Sequence, residues 1–267
     1  MNRVVVIGAA GRMGQAIIRC VLRSRDFQLA GAVEVPGCPA VGKDAGLSAG
    51  TEEAGLRIVA DLRVVAAAGN VIIDFSAHSA VPLNAVVAAE LKKPMVVGTT
   101  GLTEPEQARL RDAAQSIPVV WSPNMSVGVN LLFALVKRAA GVLGLDYDCE
   151  IVEVHHRHKK DAPSGTALRL GERVAEGRGQ DFKKVAIYGR EGDTGERPAG
   201  QIGLHAVRAG DTVGDHTVTF AIDGERIELA HRATSRDAFA MGALRAAQWA
   251  AARAPGLYDM QDVLGLA

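Results

Sequence analysis

A short basic segment holds the densest group of side chains that could do chemistry. Residues 155–160 read His-His-Arg-His-Lys-Lys and directly follow the strand-like run of residues 151–154. If that run is a strand, Glu153 and His155 share one face, because side chains alternate along a strand. A carboxylate beside an imidazole orients the ring and favours its protonated form. We therefore expect acid–base chemistry at this pair.

The residues that follow are suited to holding an anion. Pro163 is favourable early in a helix, and a helix that continues through Leu170 would begin here. Ser164, Gly165 and Thr166 would then supply backbone N–H groups and hydroxyls at a helix end of positive potential. The segment thus predicts a carboxylate site next to the acid–base pair. A solvated basic loop is the alternative interpretation.

A zinc site is a second alternative for the same segment. Its ligands would be His155, His156, His158 and Asp161, because imidazole and carboxylate groups hold zinc. However, adjacent strand residues point to opposite faces, and the neighbouring cations of the segment would repel the ion. We predict no metal.

A glycine-rich loop near the N-terminus indicates a dinucleotide site. Residues 8–14 read Gly-Ala-Ala-Gly-Arg-Met-Gly and follow the apolar residues 4–7. Such glycines let backbone N–H groups approach a pyrophosphate at the start of a helix. Glu34 ends the second apolar strand about 20 residues further on, where an acid accepts hydrogen bonds from a ribose. A plain turn is the alternative, but the order strand, loop, helix, strand and acid favours NAD(P) binding.

Two further loops follow apolar strands and are expected near the nicotinamide. They are Gly98-Thr99-Thr100-Gly101 and Ser122-Pro123-Asn124-Met125. In open α/β sheets, ligands bind beyond the carboxyl ends of the strands. A strand-to-helix turn capped by Thr103 would also explain the first of these loops.

The pattern of elements predicts two domains. Short apolar strands (4–7, 27–35, 71–74, 95–97, 118–120) alternate with helices (13–22, 79–91, 104–115), which is typical of a parallel α/β sheet of Rossmann-like type. A helix over 127–143 and a strand over 148–155 follow. Runs at 202–207, 217–222 and 226–233 alternate with period two, with Asp223-Gly224 as a hairpin turn, and predict an antiparallel region. We expect a dinucleotide-binding domain of residues 1–126 plus 236–267, closed by a helix over 237–253, and an inserted α+β substrate-binding and oligomerisation domain of residues 127–235.

The composition excludes several classes of function. Lys+Arg and Asp+Glu number 30 each, so the formal net charge is zero, and aromatic residues make up 4% of the 267. A nucleic-acid or membrane-surface partner is therefore not expected. Three dispersed cysteines suggest no disulfide framework, and residues 1–7 are too short an apolar start for an export signal. We expect a soluble, cytoplasmic protein.

Together these motifs resemble the dihydrodipicolinate reductase family of bacterial lysine and diaminopimelate synthesis. Residues 153–167 carry the family pattern E-x-H-H-x-x-K-x-D-A-P-S-G-T-A without a gap. The glycine loop, the Gly98–Gly101 turn, residues 124–130 and Arg208-Ala209-Gly210 also agree. The resemblance extends over the whole chain.

The resemblance implies an NAD(P)H-dependent reduction of 4-hydroxy-tetrahydrodipicolinate, through dihydrodipicolinate, to tetrahydrodipicolinate. It implies a homotetramer, a small dicarboxylate substrate, His155 as acid–base group and Lys159 as proton donor, although which of the two protonates C3 stays open. By the same correspondence, the substrate contacts are His156, Gly165 and Thr166. The cofactor contacts are Gly8, Ala9, Ala10, Gly11, Arg12, Met13, Glu34, Gly98, Thr99, Thr100, Ser122, Pro123, Asn124 and Met125.

One departure from the family pattern concerns the choice of cofactor. Members that bind the 2′-phosphate of NADPH often carry Arg directly after the acidic residue that binds the ribose. In this chain that acidic residue is Glu34, and Val35 follows it. We predict that NADH is used at least as well as NADPH, with Arg12 or Lys43 as possible compensating cations.

Other functions stay open at the level of sequence. A homoserine-type or semialdehyde-type NAD(P) dehydrogenase shares the architecture, but the latter needs an activated thiolate, which Asp148 and Glu150 beside Cys149 disfavour. A non-catalytic NAD(H)-sensing regulator is another alternative. The roles of His205, His216 and His231 stay undecided, and Arg236 is a candidate to reach the substrate.

Overall fold

The structure, a computed structural model, describes residues 1–266. The chain forms two compact units. Unit 1 comprises Met1–Val127 and the C-terminal segment from Arg236, and unit 2 comprises Gly128–Ser235.

Eleven strands and ten α-helices make up the described chain. In chain order they are β1 (Asn2–Ile7), α1 (Arg12–Leu22), β2 (Phe27–Val33), α2 (Ala45–Ser48), α3 (Leu62–Ala66), β3 (Val71–Asp74), α4 (Val81–Glu90), β4 (Met95–Val97), α5 (Glu104–Ala114), β5 (Pro118–Trp121), α6 (Val127–Leu143), β6 (Asp148–His155), α7 (Gly165–Arg178), α8 (Phe182–Val185), β7 (Ala186–Tyr188), β8 (Ile202–Arg208), β9 (Gly214–Ile222), β10 (Glu225–Ala233), α9 (Asp237–Ala250), β11 (Gly256–Tyr258) and α10 (Met260–Leu264). A single 3₁₀ turn, His78–Ala80, precedes α4.

The sheet of unit 1 is parallel throughout, in the strand order β11-β5-β4-β3-β1-β2. Alternate residues of β1 belong to two separate apolar clusters. Val4 and Val6 pack in one cluster with α1 and α9, and Val5 and Ile7 pack in the other with α4 and α5. Both faces of the sheet are therefore covered by helices, which is why its strands are apolar without alternation. The carboxyl ends of β1 and β3 adjoin at Ile7 and Asp74.

The sheet of unit 2 has the order β10-β9-β6-β8-β7 and is mixed. Helices α6 and α7 pack on one face, over a cluster that includes Ile151, Leu170 and Phe220. The prediction of an antiparallel region is correct for β9 and β10, but wrong for β8, which pairs parallel with both β6 and β7. Period-two alternation reports which face is buried and carries no information on strand direction, which the long connection through α7 sets here.

The fold class is confirmed, and most predicted elements lie within a few residues of their observed bounds. Elements β3, β4, α6 and β6 match the prediction to the residue. The predictions omit the strands β7 and β11 and the short helices α2, α3 and α8, which span too few residues to show a period. The prediction that Pro163 is an early helical residue is wrong, because α7 begins at Gly165 after the N-cap Ser164. Among the described residues, no helix has the length and apolar character needed to cross a bilayer.

Candidate active site

The glycine loop of unit 1 forms an open cradle at the start of α1. Gly8 has φ +77°, and a Cβ there would lie 2.7 Å from the Phe75 carbonyl oxygen, so the turn requires glycine. Gly11 is the N-cap of α1, and in the described chain neither a capping side chain nor a first-turn acid occupies this helix end. The backbone N–H groups at the start of α1 are thus suited to an anion.

Glu34 lies just beyond the end of β2 and turns back to this loop. Its Oε2 accepts a hydrogen bond from the Ala10 amide at 2.9 Å, and its Oε1 accepts one from the Val35 amide at 2.9 Å. A cavity of about 420 Å³ lies beside it, with Gly8, Glu34, Val35, Arg63 and Ser76 among its lining residues. An acid, a glycine turn and a cavity meet where the adenosine half of a dinucleotide would bind.

The other predicted cofactor loops follow β4 and β5 at the same edge of the sheet. Thr99 Oγ1 donates to the Ser76 carbonyl at 3.0 Å, and Trp121 Nε1 donates to the Thr99 carbonyl at 3.3 Å. Ser122 Oγ donates to the Asn124 carbonyl at 3.0 Å, which fixes the turn of residues 122–125. These loops adjoin the glycine loop because parallel strands place all their carboxyl ends at one edge.

Arg236 belongs to unit 1, directly before α9. Burial lowers the pKa of Arg236, and the positive charge of Arg12 lowers it further. Arg236 is thus near enough to Arg12, the first residue of α1, for the two charges to repel each other.

In unit 2, one face of β6 changes from apolar to charged toward its carboxyl end. Cys149 and Ile151 are fully buried in the core, and Glu153 and His155 continue the same row. Alternation along the strand thus has the predicted effect, since His155 Nδ1 lies 2.5 Å from Glu153 Oε2. The pair lies at the strand end next to the start of α7.

Glu153 is fully buried and accepts four hydrogen bonds. Arg208, from the adjacent strand β8, donates from Nη1 to Oε2 at 2.8 Å and from Nη2 to Oε1 at 2.9 Å. The Ser164 amide donates to Oε1 at 3.0 Å, and His155 supplies the fourth bond. Burial alone would raise the pKa of Glu153, but the hydrogen bonds from Arg208, His155 and Ser164 lower it. Glu153 is therefore an ionised acceptor.

The ionised acceptor fixes which nitrogen of His155 can exchange protons. A carboxylate only accepts hydrogen bonds, so Nδ1 of His155 carries a proton and donates it to Glu153. Nε2 is then free to exchange a proton with a reacting molecule. A Cβ on Gly214 would lie 2.9 Å from Nε2, so the glycine keeps space open beside this atom. The His155 side chain is 11% exposed, which limits its contact with bulk water.

The start of α7 is held beside this pair by Ser164 and His216. Ser164 Oγ accepts from the Ala167 amide at 3.1 Å and hydrogen-bonds with His216 Nε2 at 2.9 Å. The rings of His216 and His155 meet edge to face, with centroids 5.2 Å apart. Burial lowers the pKa of His216 to about 3, so this ring is neutral. Gly165 and Thr166 are the first two residues of α7, a helix end that suits a carboxylate.

Lys159 lies in the loop after β6 and is paired with an acid. Its Nζ donates to both carboxylate oxygens of Asp161 at 2.8 Å, and this bond lowers the pKa of Asp161. Arg208 Nη2 donates to the Asp161 carbonyl at 2.6 Å, so the loop is tied to the Glu153 pair. His156 precedes this loop, and its amide donates to the Thr212 carbonyl at 2.8 Å.

Sequence reasoning assigned no role to Arg208 or His216. Arg208 appears there only within a matching motif, and His216 only as an undecided histidine. Both become neighbours of His155 through strand register, since Arg208 pairs with His155 and His216 pairs with Glu153. Register is a long-range property, so no local pattern identifies these two residues.

A catalytic thiolate and a bound metal ion are the two chemical alternatives to the acid–base pair. Burial raises the pKa of Cys149 to about 12, so a catalytic thiolate does not form there. Among residues 1–266, no three His, Cys, Asp or Glu side chains are grouped in a way that could hold a metal ion.

Comparisons with known proteins give consistent results for both units. Residues 2–125 match the family model "Dihydrodipicolinate reductase, N-terminus", and residues 128–264 match "Dihydrodipicolinate reductase, C-terminus". The 4-hydroxy-tetrahydrodipicolinate reductases of Anaeromyxobacter dehalogenans (strain 2CP-C) and Geobacter sulfurreducens are each 53% identical over 266 residues, covering 100% of this chain and 98% and 100% of theirs. A solved structure of dipicolinate-bound dihydrodipicolinate reductase from Paenisporosarcina sp. TG-14 has a TM-score of 0.76 at 20% identity and covers 98% of each chain, a likeness in fold. The homoserine-type, semialdehyde-type and regulator alternatives are not favoured.

Proposed function

The chain belongs to the dihydrodipicolinate reductase family, and we propose which of its residues bind the cofactor, bind the substrate and transfer protons in the reaction. The reaction is the NAD(P)H-dependent reduction of 4-hydroxy-tetrahydrodipicolinate in lysine and diaminopimelate biosynthesis. In this proposal, unit 1 binds the dinucleotide and unit 2 binds the substrate. The observation that carries it is the hydrogen-bonded pair Glu153–His155 beside the start of α7.

The residues of unit 1 fit the cofactor. The glycine cradle suits a pyrophosphate, because in the described chain neither a capping side chain nor a first-turn acid occupies the start of α1. Glu34 has two carboxylate oxygens for a ribose. The cradle comprises Gly8, Ala9, Ala10, Gly11, Arg12 and Met13. The residues that would hold the nicotinamide half are Gly98, Thr99, Thr100, Ser122, Pro123, Asn124 and Met125. When bound, the reduced nicotinamide supplies a hydride.

The residues of unit 2 suit a small dicarboxylate. The N–H groups of Gly165 and Thr166 at the start of α7 bind one carboxylate, and His156 contributes a further contact. The name of the Paenisporosarcina structure gives dipicolinate, a planar dicarboxylate, as that enzyme's ligand, which supports this choice. Arg208 and Glu153 are paired with each other and are not assigned to the substrate.

His155 and Lys159 manage the protons and the charge. Reduction at C4 leaves electron density along C3, C2 and the ring nitrogen, so a proton must reach C3 and positive charge must lie near the nitrogen. His155 Nε2 exchanges a proton while its Nδ1–H stays on Glu153. The ammonium of Lys159 donates a proton or stabilises the developing charge. When the dianionic substrate binds, this ammonium leaves its ion pair with Asp161 and pairs with the substrate.

The test uses two variants with matched controls from the same segment. His155→Gln and Lys159→Met should lower kcat/KM by about 10²- to 10⁴-fold, the contribution typical of general acid–base groups. The matched controls His158→Gln and Lys160→Met should stay within about threefold of wild type, because both positions are exposed. Turnover is followed as NADH oxidation, with substrate generated from pyruvate and aspartate semialdehyde, and NADH binding by fluorescence. Wild-type turnover in His155→Gln or Lys159→Met would refute the assignment of that residue.

Assembly and location complete the proposal. On the face of the unit 2 sheet opposite α6 and α7, Val152 and Val207 are 37% and 42% exposed. These apolar side chains support a homotetramer joined through its sheets, which light scattering would measure as four chains per particle.

Cys20, Cys38 and Cys149 are free thiols, which supports the reducing cytoplasm as the location and can be checked by fractionation.

A further inference from the structure

The charges around His155 are arranged in compensating pairs. Glu153, on the same strand, has no exposed surface and is held by both terminal nitrogens of Arg208 from β8. Such a two-pronged contact leaves the guanidinium in one fixed orientation. His155 donates to the same oxygen, Oε2, that accepts from Arg208 Nη1. Arg208 and His155 therefore share one carboxylate.

We propose that Arg208 is a positioning residue for the reduction. Its positive charge compensates the negative charge of the Glu153 carboxylate, so that His155 can alternate between its neutral and charged forms. This inference rests on the proposed role of His155. A carboxylate facing the imidazole alone would stabilise the charged ring and retain its proton. With Arg208 in place, Glu153 still orients the ring through the Nδ1–H bond, but its charge is compensated.

The other groups that face His155 leave this balance undisturbed. In the loop after β6, Lys159 and Asp161 form an ion pair with each other. On β9, His216 is neutral because burial lowers its pKa to about 3. On β10, beyond it, burial also lowers the pKa of His231. From α7, the Ser164 amide adds an uncharged donor to Glu153.

Arg208 also orders the segment that carries Lys159. Its Nη2 donates to the Asp161 carbonyl at 2.6 Å, and its Nη1 donates to its neighbour's carbonyl, that of Val207, at 2.7 Å. One guanidinium thus joins the carboxylate behind His155 to the loop of Lys159. Replacing it should disturb the charge of His155 through Glu153 and the position of Lys159 through Asp161.

The first experiment measures the protonation of His155 directly. Full-length protein carrying carbon-13-labelled histidine is titrated by NMR, and the His155 resonance is assigned with His155→Gln. In Arg208→Met, the pH midpoint of that resonance should rise by about one pH unit or more, because Glu153 loses its compensating cation. Arg208→Lys, which keeps the charge, should stay within about half a pH unit of wild type. An unchanged midpoint in Arg208→Met would overturn the inference.

A second variant acts in the opposite direction and does not depend on Arg208→Met folding. Glu153→Gln removes the carboxylate while Arg208 keeps its positive charge, so the His155 midpoint should fall by about one pH unit or more. A midpoint that stays or rises would contradict the inference. A general loss of structure would not move the two variants in opposite directions.

The pH profile of kcat/KM separates this inference from the proposed function. If His155 is the acid–base group, the limb of the profile that it governs should shift upward in Arg208→Met together with the NMR midpoint. A shifted NMR midpoint with an unshifted profile would uphold the effect of Arg208 on the ring and refute the acid–base role of His155. An unshifted NMR midpoint would refute the inference and leave that role intact.

Discussion

Side chains of one type take different roles here according to what they face. Glu150 and Glu153 lie on opposite faces of β6, yet both are held by arginines and both have a lowered pKa. Glu153 pairs with His155 at the strand end beside α7, whereas Glu150 pairs with His205 on the sheet face opposite the helices. His216 contacts the His155 imidazole but is held neutral by burial. Residue type alone therefore identifies candidates, and their neighbours decide what each one does.

The residues around Glu34 predict the choice of cofactor. Arg63 is the single cation among the residues lining the described cavity, and it is already paired with Glu90 at 2.6 Å. The compensating cations suggested by sequence, Arg12 and Lys43, are not among those lining residues. A 2′-phosphate in this cavity would thus meet Glu34 and no unpaired cation among the lining residues, so wild-type kcat/KM should be no higher with NADPH than with NADH.

Val35→Arg should raise the ratio of kcat/KM for NADPH over NADH about tenfold or more, since an arginine can pair with the phosphate. Val35→Met supplies a comparable length without charge and should leave the ratio within about twofold. Steady-state kinetics with both cofactors measures the ratios. A large NADPH preference in the wild type would contradict the prediction.

Among the elements, α1 and β6 have the greatest influence on the site. Helix α1 packs so closely on the strand-to-helix turn that a Cβ on Gly14 would lie 2.0 Å from the Gly8 carbonyl oxygen. This contact fixes where the helix N-terminus lies relative to the cradle. Strand β6 extends from the core of unit 2 to its charged end, so packing of Ile151 also positions His155.

Gly14→Ala tests the packing of α1. Helix propensity alone favours alanine by about 1 kcal/mol, but the clash with the Gly8 carbonyl should outweigh it and lower the free energy of unfolding by about 1–3 kcal/mol. NADH affinity should fall as the helix end shifts. Gly11→Ala is the matched control, since φ there is −70° and its Cβ would lie 3.2 Å from the same oxygen, so stability should change by about 1 kcal/mol at most. Urea unfolding gives both values, and equal stabilities for the two variants would disprove the packing argument.

Across the molecule, each unit has its own apolar core, and unit 2 also contains a cluster of ion pairs. Glu150 contacts Arg190, Arg197 and His205 on the sheet face opposite the helices. Burial would raise the pKa of Glu150, but hydrogen bonds from Arg190, His205 and Arg197 lower it to about 2, against an ordinary value of 4.5. A carboxyl with a lowered pKa stabilises the fold above its ordinary value, and this stability is lost as the pH falls through the folded value.

Glu150→Gln should therefore lower the free energy of unfolding at pH 7 by on the order of 2 kcal/mol. The difference from wild type should shrink between about pH 4.5 and pH 2, as the wild-type carboxyl becomes protonated. Glu172→Gln, at an exposed ion pair on α7, should cost about 1 kcal/mol or less. Denaturant unfolding at several pH values measures these differences. A difference for Glu150→Gln that is constant down to pH 2 would contradict the prediction.

Patterns along the chain were enough to predict most of the local elements, the fold class, the pairing of Glu153 with His155 and, through the motifs, the family. Each of these depends on spacing along the chain: periods of two and 3.6, a glycine loop between strand and helix, and alternation within one strand. Only the tertiary structure shows that β8 runs parallel to β6, that Arg208 binds Glu153 through two nitrogens and that His216 faces His155. These contacts join residues more than 50 positions apart, and strand direction and register, which no local pattern encodes, set them.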